Sequence, residues 1–381
     1  MKKARKALCV LVVILMLSVF LSGCAGDFKD INEKSIFTAV ALDKKGDEFY
    51  FYVEIANIEG SSNSENKSGG SNKYITVTSH GKTITEAREN MDRQLDNEVH
   101  LSAVRALILT ENFAKEHLVE YLNRLRADEA YRKKTITVIT QEDPENLFQI
   151  CNQNNVSVGF YTEKVLKSLE ENGETFTRTT TRLLENLSAE YTGILISCIG
   201  LQDQNISLKG YSVVNDSTIV GFIPVEEAKS VVFIKADKPG FDYVLSYKTN
   251  QFTIEVILKK KKIKPSYENG EINFDMAFDF EAKLMYGDEK TPYLFTQTDN
   301  ANLTRSLTEM LKTGLIDAVG QAQKTFQCDY LQFDDIFRIK YPSQFDEMDW
   351  QNEFEKVTYS VDVTVVLNKN GVMDYETDEQ K

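Results

Sequence analysis

Apolar and polar positions alternate along this chain in two rhythms, one with a period near two and one with a period near 3.6. Ser35–Asp43 and Glu48–Ile58 read as strands, and the Lys-Lys-Gly-Asp turn between them makes a hairpin. In the second arm Phe49, Phe51, Val53 and Ile55 share one face. Gly60–Asn72 is a Ser/Asn/Gly-rich loop, and Tyr74–His80 follows it as a third strand. Thr83–Leu95 predicts an amphipathic helix with Ile84, Ala87, Met91 and Leu95 on one stripe. Val104–Leu109 is a short buried strand. Thr110 then caps a helix to about Arg126, with Phe113, Leu118, Tyr121, Leu122 and Leu125 inward. Thr135–Thr140 is another strand, and Asp143-Pro144 opens a short helix through a cap and a first-turn proline.

The polar Asn152–Asn155 marks a boundary. Helices follow at Tyr161–Glu171 and about Thr181–Leu187, then strands at Gly193–Leu201, Ser207–Asn215 and Thr218–Phe222. Pro224 opens a short helix, Val231–Ile234 closes the segment, and Lys238-Pro239-Gly240 is a breaker. Long strands at Phe252–Ile263 and Ile272–Met285 flank Tyr267–Gly270. Thr298–Phe326 is the longest helical pattern, and Phe333–Ile339 is a short helix ended by Tyr341-Pro342. Lys356–Leu367 is a strand with Val357, Tyr359, Val361, Val363 and Val365 on one face. Strands that cluster in hairpins predict an α+β fold with mixed or mostly antiparallel sheets packed on helices, not a doubly wound one. Three domains are expected at 24–152, 153–238 and 239–373, after a leader at 1–23 and before an acidic tail at 374–381.

A hydrophobic content of 42% supplies ordinary cores, but acids outnumber bases 58 to 44, a net charge of −14. Lys2, Lys3, Arg5 and Lys6 are the only charges among the first 23 residues, so the remainder carries −18. Such an acidic body is a poor ligand for nucleic-acid phosphates, which are bound by an excess of cations, and anionic lipid repels it. A membrane location would therefore need an anchor, and the N-terminus has the form of one. Met1–Lys6 is basic, and Ala7–Phe20 is apolar apart from Cys9 and Ser18. That run is too short to span a bilayer and fits a secretory leader. It ends in Leu21-Ser22-Gly23-Cys24, the pattern of a lipobox. Cleavage would fall between Gly23 and Cys24, and the Cys24 thiol would carry a diacylglyceryl group. Two acyl chains, at ~0.8 kcal/mol per buried CH₂, make a stable anchor. The plainer alternative is an ordinary leader with a chance cysteine.

Candidate chemistry is sparse. Cys151, Cys198 and Cys328 are odd in number and far apart, so buried free thiols are expected and no disulfide framework. G-x-G-x-x-G, Walker, G-x-S-x-G and H-E-x-x-H patterns are missing from the sequence. His80, His100 and His117 are not paired at metal spacing. Ser64-Glu65-Asn66-Lys67 has a Ser-x-x-Lys form but falls in the polar loop, where it opens no helix. The run Lys259–Lys262 fits a solvated edge strand, with Asp275 and Asp279 placed to pair with it across a hairpin. Phe345, Trp350 and Phe354, set among acids, form either a small satellite core or a docking patch for a partner. No catalytic residue, metal site or cofactor is predicted.

Three ordered stretches carry a family likeness. The first is His80-Gly81-Lys82-Thr83-Ile84 with Glu86-Ala87, His100 and the strand Val104–Leu109. The second is Gly210–Val214, Ile219–Phe222 and Glu226-Glu227. The third is Gln321–Lys324, Asp329, Phe333, Tyr341-Pro342, Trp350 and the alternating terminal strand. With the lipobox and the early Ala41-Leu42-Asp43, nearly the whole mature chain resembles the Ger(x)C family, the C-subunit lipoproteins of bacterial spore germinant receptors. Two departures stand out. The usual Trp-Asp-Arg after the lipidated cysteine is Ala25-Gly26-Asp27-Phe28, and a usual Gly-containing segment is Tyr330-Leu331-Gln332-Phe333. The resemblance implies a three-domain lipoprotein on the outer face of the spore inner membrane, without enzymatic activity. It also implies membrane A and B subunits as partners. The alternatives are the solute-binding lipoprotein of an importer and an anchored cell-wall hydrolase. The first needs two lobes of alternating β and α, and the second a carboxylate pair or metal cluster.

Overall fold

The computed structural model describes residues 33–57, 73–127, 131–132, 134–187, 193–248, 250–288 and 296–368. The leader, the lipobox, the Ser64–Lys67 stretch and the acidic tail lie outside the described residues. The chain begins with β1 (Lys34–Lys45), β2 (Glu48–Ala56) and β3 (Tyr74–Gly81), an antiparallel meander. Helix α1 (Ile84–Asp92) follows, with the Thr83 side chain accepting from the Glu86 amide as its N-cap. The short β4 (Glu98–His100) and β5 (Ala106–Thr110) both run parallel to β1. Helix α2 (Glu111–Ala127) crosses to β6 (Ile136–Thr140), parallel to β5. Helices α3 (Pro144–Gln153), α4 (Val158–Glu171) and α5 (Thr180–Leu187) lead to β7 (Ile194–Gln202), parallel to β6. Then β8 (Asn205–Asn215) and β9 (Thr218–Pro224) close a nine-stranded sheet of order β3-β2-β1-β5-β6-β7-β8-β9, with β4 against β1.

The sheet is mixed: hairpins at both ends flank four parallel strands. Every residue of β5 and β6 is buried, because helices cover both faces. On one face α1, α2 and α5 pack through Met91, Phe113, Leu118, Leu122 and Leu183. On the other α3 and α4 pack through Leu147, Phe148, Val158 and Leu166 over Ala39, Ala41, Ala106 and Ile108. Small alanines on that face let α4 approach closely. The pairing of β6 with β7 carries one sheet across the boundary read at residue 152. The parallel block was hidden in the hairpin reading, because short, mostly apolar runs do not reveal whom they pair with.

Helix α6 (Lys229–Lys235) links this sheet to a second one, and Val231–Ile234 lie inside it. Strands β10 (Gly240–Tyr247), β11 (Asn250–Glu268) and β12 (Glu271–Asp288) form an antiparallel meander. After α7 (Gln297–Gly320), a π turn (Gln321–Thr325), α8 (Phe333–Lys340), α9 (Pro342–Asp346) and α10 (Trp350–Phe354), the chain returns as β13 (Thr358–Asn368). This strand lies parallel to β12, giving the order β10-β11-β12-β13. Alternation sorts the faces: Phe274, Met276, Phe278, Phe280 and Ala282 point inward with Leu303, Leu307, Leu311 and Leu315 of α7. The same core runs without a break into Leu195, Tyr211, Val213 and Ile223 of the large sheet. The Gly221 backbone lies against the Phe326 ring, where a Cβ would collide.

One buried carboxylate locks the large sheet to α4. Glu54 of β2 has no solvent exposure. It accepts from Thr38 Oγ1 at 2.5 Å, Ser157 Oγ at 2.5 Å and the Val158 amide at 2.7 Å. Ser157 is the N-cap of α4, so the carboxylate also meets the positive end of that helix. Burial pushes the Glu54 pKa up, and these donors hold it down. Glu54→Ala strands three buried donors at about 1 kcal/mol each, so a loss of about 3 kcal/mol is expected. Urea unfolding checks it, and a change below about 0.5 kcal/mol would contradict the clamp.

Candidate functional site

The third stretch of family likeness folds into one buried polar hub beneath the second sheet. Two strained backbone positions, Gln327 at φ 48° and Gln332 at φ 66°, bracket the segment that presents Asp329. The π turn ahead of it aims Gln323 inward, and its amide donates to the carbonyls of Phe354 and Val357 at 2.8 Å each. That pair of bonds joins the end of the long helix to the start of β13. Asp329 then accepts from the amides of Phe333 (3.1 Å) and Asp334 (2.8 Å), at the first turn of α8. The Trp350 indole N–H donates to the same carboxylate at 2.9 Å. Burial raises the Asp329 pKa against these three donors.

Trp350 is fully buried, with Phe345 and Phe354 buried beside it. Their rings lie 5.6 and 6.4 Å from the indole, and Phe337 lies 5.4 Å away. The docking-patch alternative for Phe345, Trp350 and Phe354 is thus corrected: they are core. The acids around them mark the solvent side of short helices, and the amphipathic period is too brief there for the sequence to show it.

A cation completes the hub from the other sheet. Lys235, the last residue of α6, donates to the Tyr330 carbonyl at 2.5 Å and to Gln332 Oε1 at 2.9 Å. Arg178 donates to the same Gln332 oxygen at 3.4 Å and stacks on Phe176. Gln332 holds a left-handed backbone, at the segment where the family likeness expects a glycine. Its side chain joins Lys235 and Arg178 across the junction of the two sheets. Burial, assisted by the Arg178 guanidinium, pushes the Lys235 pKa down to about 7. Sequence reasoning missed this lysine; the only signal was a cation ending the apolar run Val231–Ile234.

The other candidates are dispersed. Lys259 pairs with Glu281 at 2.7 Å, and Lys261 caps α6 through the Ile234 and Ala236 carbonyls at 2.7 and 2.6 Å. Asp275 and Asp279 lie opposite Lys264 and Lys260 in register but make no ion pair with them, which corrects the expected cross-hairpin pairing. Asp275 instead accepts from Ser360 at 2.8 Å. Cys151, Cys198 and Cys328 are free and buried, and burial lifts each thiol to about 12, far from a reactive thiolate. His80 stacks on Tyr50, His100 meets Ser102, and His117 meets Glu120. Among the described residues no three His, Cys, Asp or Glu side chains gather as a metal site. No helix among them is long and apolar enough to cross a membrane.

Fold and hub together define a mixed α/β protein whose characteristic residues brace two sheets against each other. Residues 27–201 match the family described as "Spore germination protein N-terminal domain", and residues 209–371 match "Spore germination B3/ GerAC like, C-terminal". The chain belongs to the GerAC/GerBC-like family of spore germination proteins, the C subunits of germinant receptors. It is 21% identical to spore germination protein B3 of Bacillus subtilis (strain 168), covering 95% of this chain and 97% of that one. It is also 21% identical to spore germination protein KC of the same organism, over 91% of each chain. The crystal structure of the GerBC protein superposes with a TM-score of 0.57 at 17% identity, over 86% of this chain and 96% of that one, and shares the fold. The gap between the two matched regions falls at the β7–β8 turn, inside the large sheet.

Two expectations follow from the hub. Trp350→Ala removes a fully buried side chain and an indole donor, so a loss of about 3–5 kcal/mol is expected in chemical unfolding. Lys235 binds a proton more weakly folded, near 7, than unfolded, near 10.5. Between those values the unfolded chain holds the extra proton, so stability should rise with pH. Lys235→Met should flatten that rise when unfolding midpoints are compared from pH 6.5 to 9.5, and an unchanged slope would rule out Lys235 as its source.

Proposed function

We propose that the chain is the lipid-anchored, non-catalytic C subunit of a nutrient germinant receptor. In this reading it works through surfaces, beside membrane A and B subunits on the outer face of the spore inner membrane. The observation that carries it is the pair of family matches, in order, over residues 27–201 and 209–371. The names of the relatives support the same process, since each is a spore germination protein. Cys24 is the lipidated residue and Gly23-Cys24 the cleavage site in this proposal. An anchor fits the charge: a body of −18 has no electrostatic hold on anionic lipid, so the acyl chains supply it. The buried, inert thiols and the bracing role of Asp329 and Trp350 fit a subunit that supports an assembly and performs no reaction.

Cys24→Ala is expected to abolish incorporation of labelled palmitate, and undiminished labelling would overturn the anchor. In spores, the same variant should lower the amount of A and B subunit recovered with this chain. Equal recovery from wild-type and variant spores would argue that the anchor does not serve assembly.

A further inference from the structure

The second sheet has edges built in opposite ways. Strand β10 stops pairing at Ile257, so β11 is an edge strand beyond that point. That stretch is heavily guarded: Lys259–Lys262, Lys264, Pro265 and a register shift between Leu258 and Lys260. Lysines, proline and bulges are the usual means of keeping a strand edge from pairing with another chain. The other edge, β13, has none of them. It is 11 residues long, Thr358–Asn368, where strands average about five or six. Its register with β12 is unbroken from Asn273↔Thr358 to Lys283↔Asn368. It holds no lysine, arginine or proline, and five of its residues are valine or leucine. Among the described residues no backbone hydrogen bond reaches its outer side. A long, flat, β-branched edge left open is a template for strand addition.

The charge beside this edge selects the occupant. Asp362 projects from the solvent face of β13, opposite Ala277 of β12 and diagonal to Asp279, which lies opposite Thr364, and Asp317 of α7 lies near Tyr359 on the other face. None of the three has an ion pair among the described residues. Val366, 57% exposed, adds an apolar contact at the far end. A second copy is a poor fit. Antiparallel pairing of two β13 strands would set the two Asp362 carboxylates diagonally across the new pair, in bodies that each carry −18 after loss of the leader. We infer that the free edge of β13 is a docking site for an extended, basic segment of a partner protein, bound by strand addition with its cations on Asp362, Asp279 and Asp317. Main-chain bonds would supply affinity and the carboxylates selectivity. The inference rests on edge and charge alone, so it stands or falls independently of the anchor at Cys24.

The test uses the full chain, purified in detergent, and two labelled nine-residue peptides, one alternating Lys and Val, the other Glu and Val. Fluorescence polarisation should show binding of the Lys peptide at least tenfold tighter than the Glu peptide. Amide exchange should slow across residues 358–368 when it binds. Val363→Pro and Thr364→Pro direct the lost N–H to opposite sides, so only one of them breaks the bond to β12. The variant that keeps the wild-type melting temperature should lose at least tenfold in affinity. Asp362→Lys should weaken the Lys peptide at least threefold and leave the fold intact. Absence of binding, equal binding of both peptides, or full binding by the folded proline variant would overturn the inference. So would a dimer in sedimentation that the proline variant dissolves, since the occupant would be a second copy. Binding that emerges only after deletion of residues 371–381 would also overturn it, by making that segment the occupant.

Discussion

A carboxylate in an apolar core must be met by donors, and Asp329 satisfies that demand with parts of the chain that would otherwise be independent. Its oxygens take the first amides of α8 and the indole of α10, and Lys235 from the first sheet's linker lies nearby. Removing any donor leaves buried charge uncompensated, so the helices after the π turn have one arrangement available to them. That arrangement sets where β13 begins, because Gln323 ties the turn to the Phe354 and Val357 carbonyls. The position of the final strand, and hence of the open edge, follows from the hub.

The two sheets are less separate than a domain reading of the chain suggests. Leu195, Tyr211, Val213 and Ile223 of the large sheet share a core with the inward face of the small one. Gly221 lets the Phe326 ring lie on β9 with no side chain between. Gln332, Lys235 and Arg178 add a hydrogen-bonded strap at the rim. Motion of one sheet against the other would expose apolar surface and break polar bonds together.

Electrostatics divides the molecule by region more than its net charge conveys. The lysine run on β11 is used at home: one cation pairs with Glu281 and another caps a helix. Asp362, Asp279 and Asp317 beside β13 have no ion pair among the described residues. Two of its lysines thus serve internal bonds, while those three acids stand beside the edge that lacks protection.

Much of the secondary structure was legible because periodicity is a local property. Leu303, Leu307, Leu311, Leu315 and Val319 of the long helix, the alternation of the last strand and the Thr83 and Asp143 caps lie where the residues place them, whereas Ile316, expected inward, is exposed. Family likeness was legible too, since its stretches lie in order along the chain and residues 27–201 and 209–371 match the two family descriptions. Strand order was not. β5 and β6 are buried on both faces, and such runs state burial without naming a neighbour. Phe345, Trp350 and Phe354 could have faced a partner or a core, and a helix of five residues is too short for its period to decide. Only the tertiary structure brought Asp329 to the indole and turned the aromatics inward. It alone paired Lys259 with Glu281 in place of the expected aspartates. Local sequence determines which residues avoid water; the partners of a buried charge come from segments that only the tertiary fold brings together, from Trp350, 21 residues beyond Asp329, to Ser157, 103 residues beyond Glu54, where no local pattern can specify them.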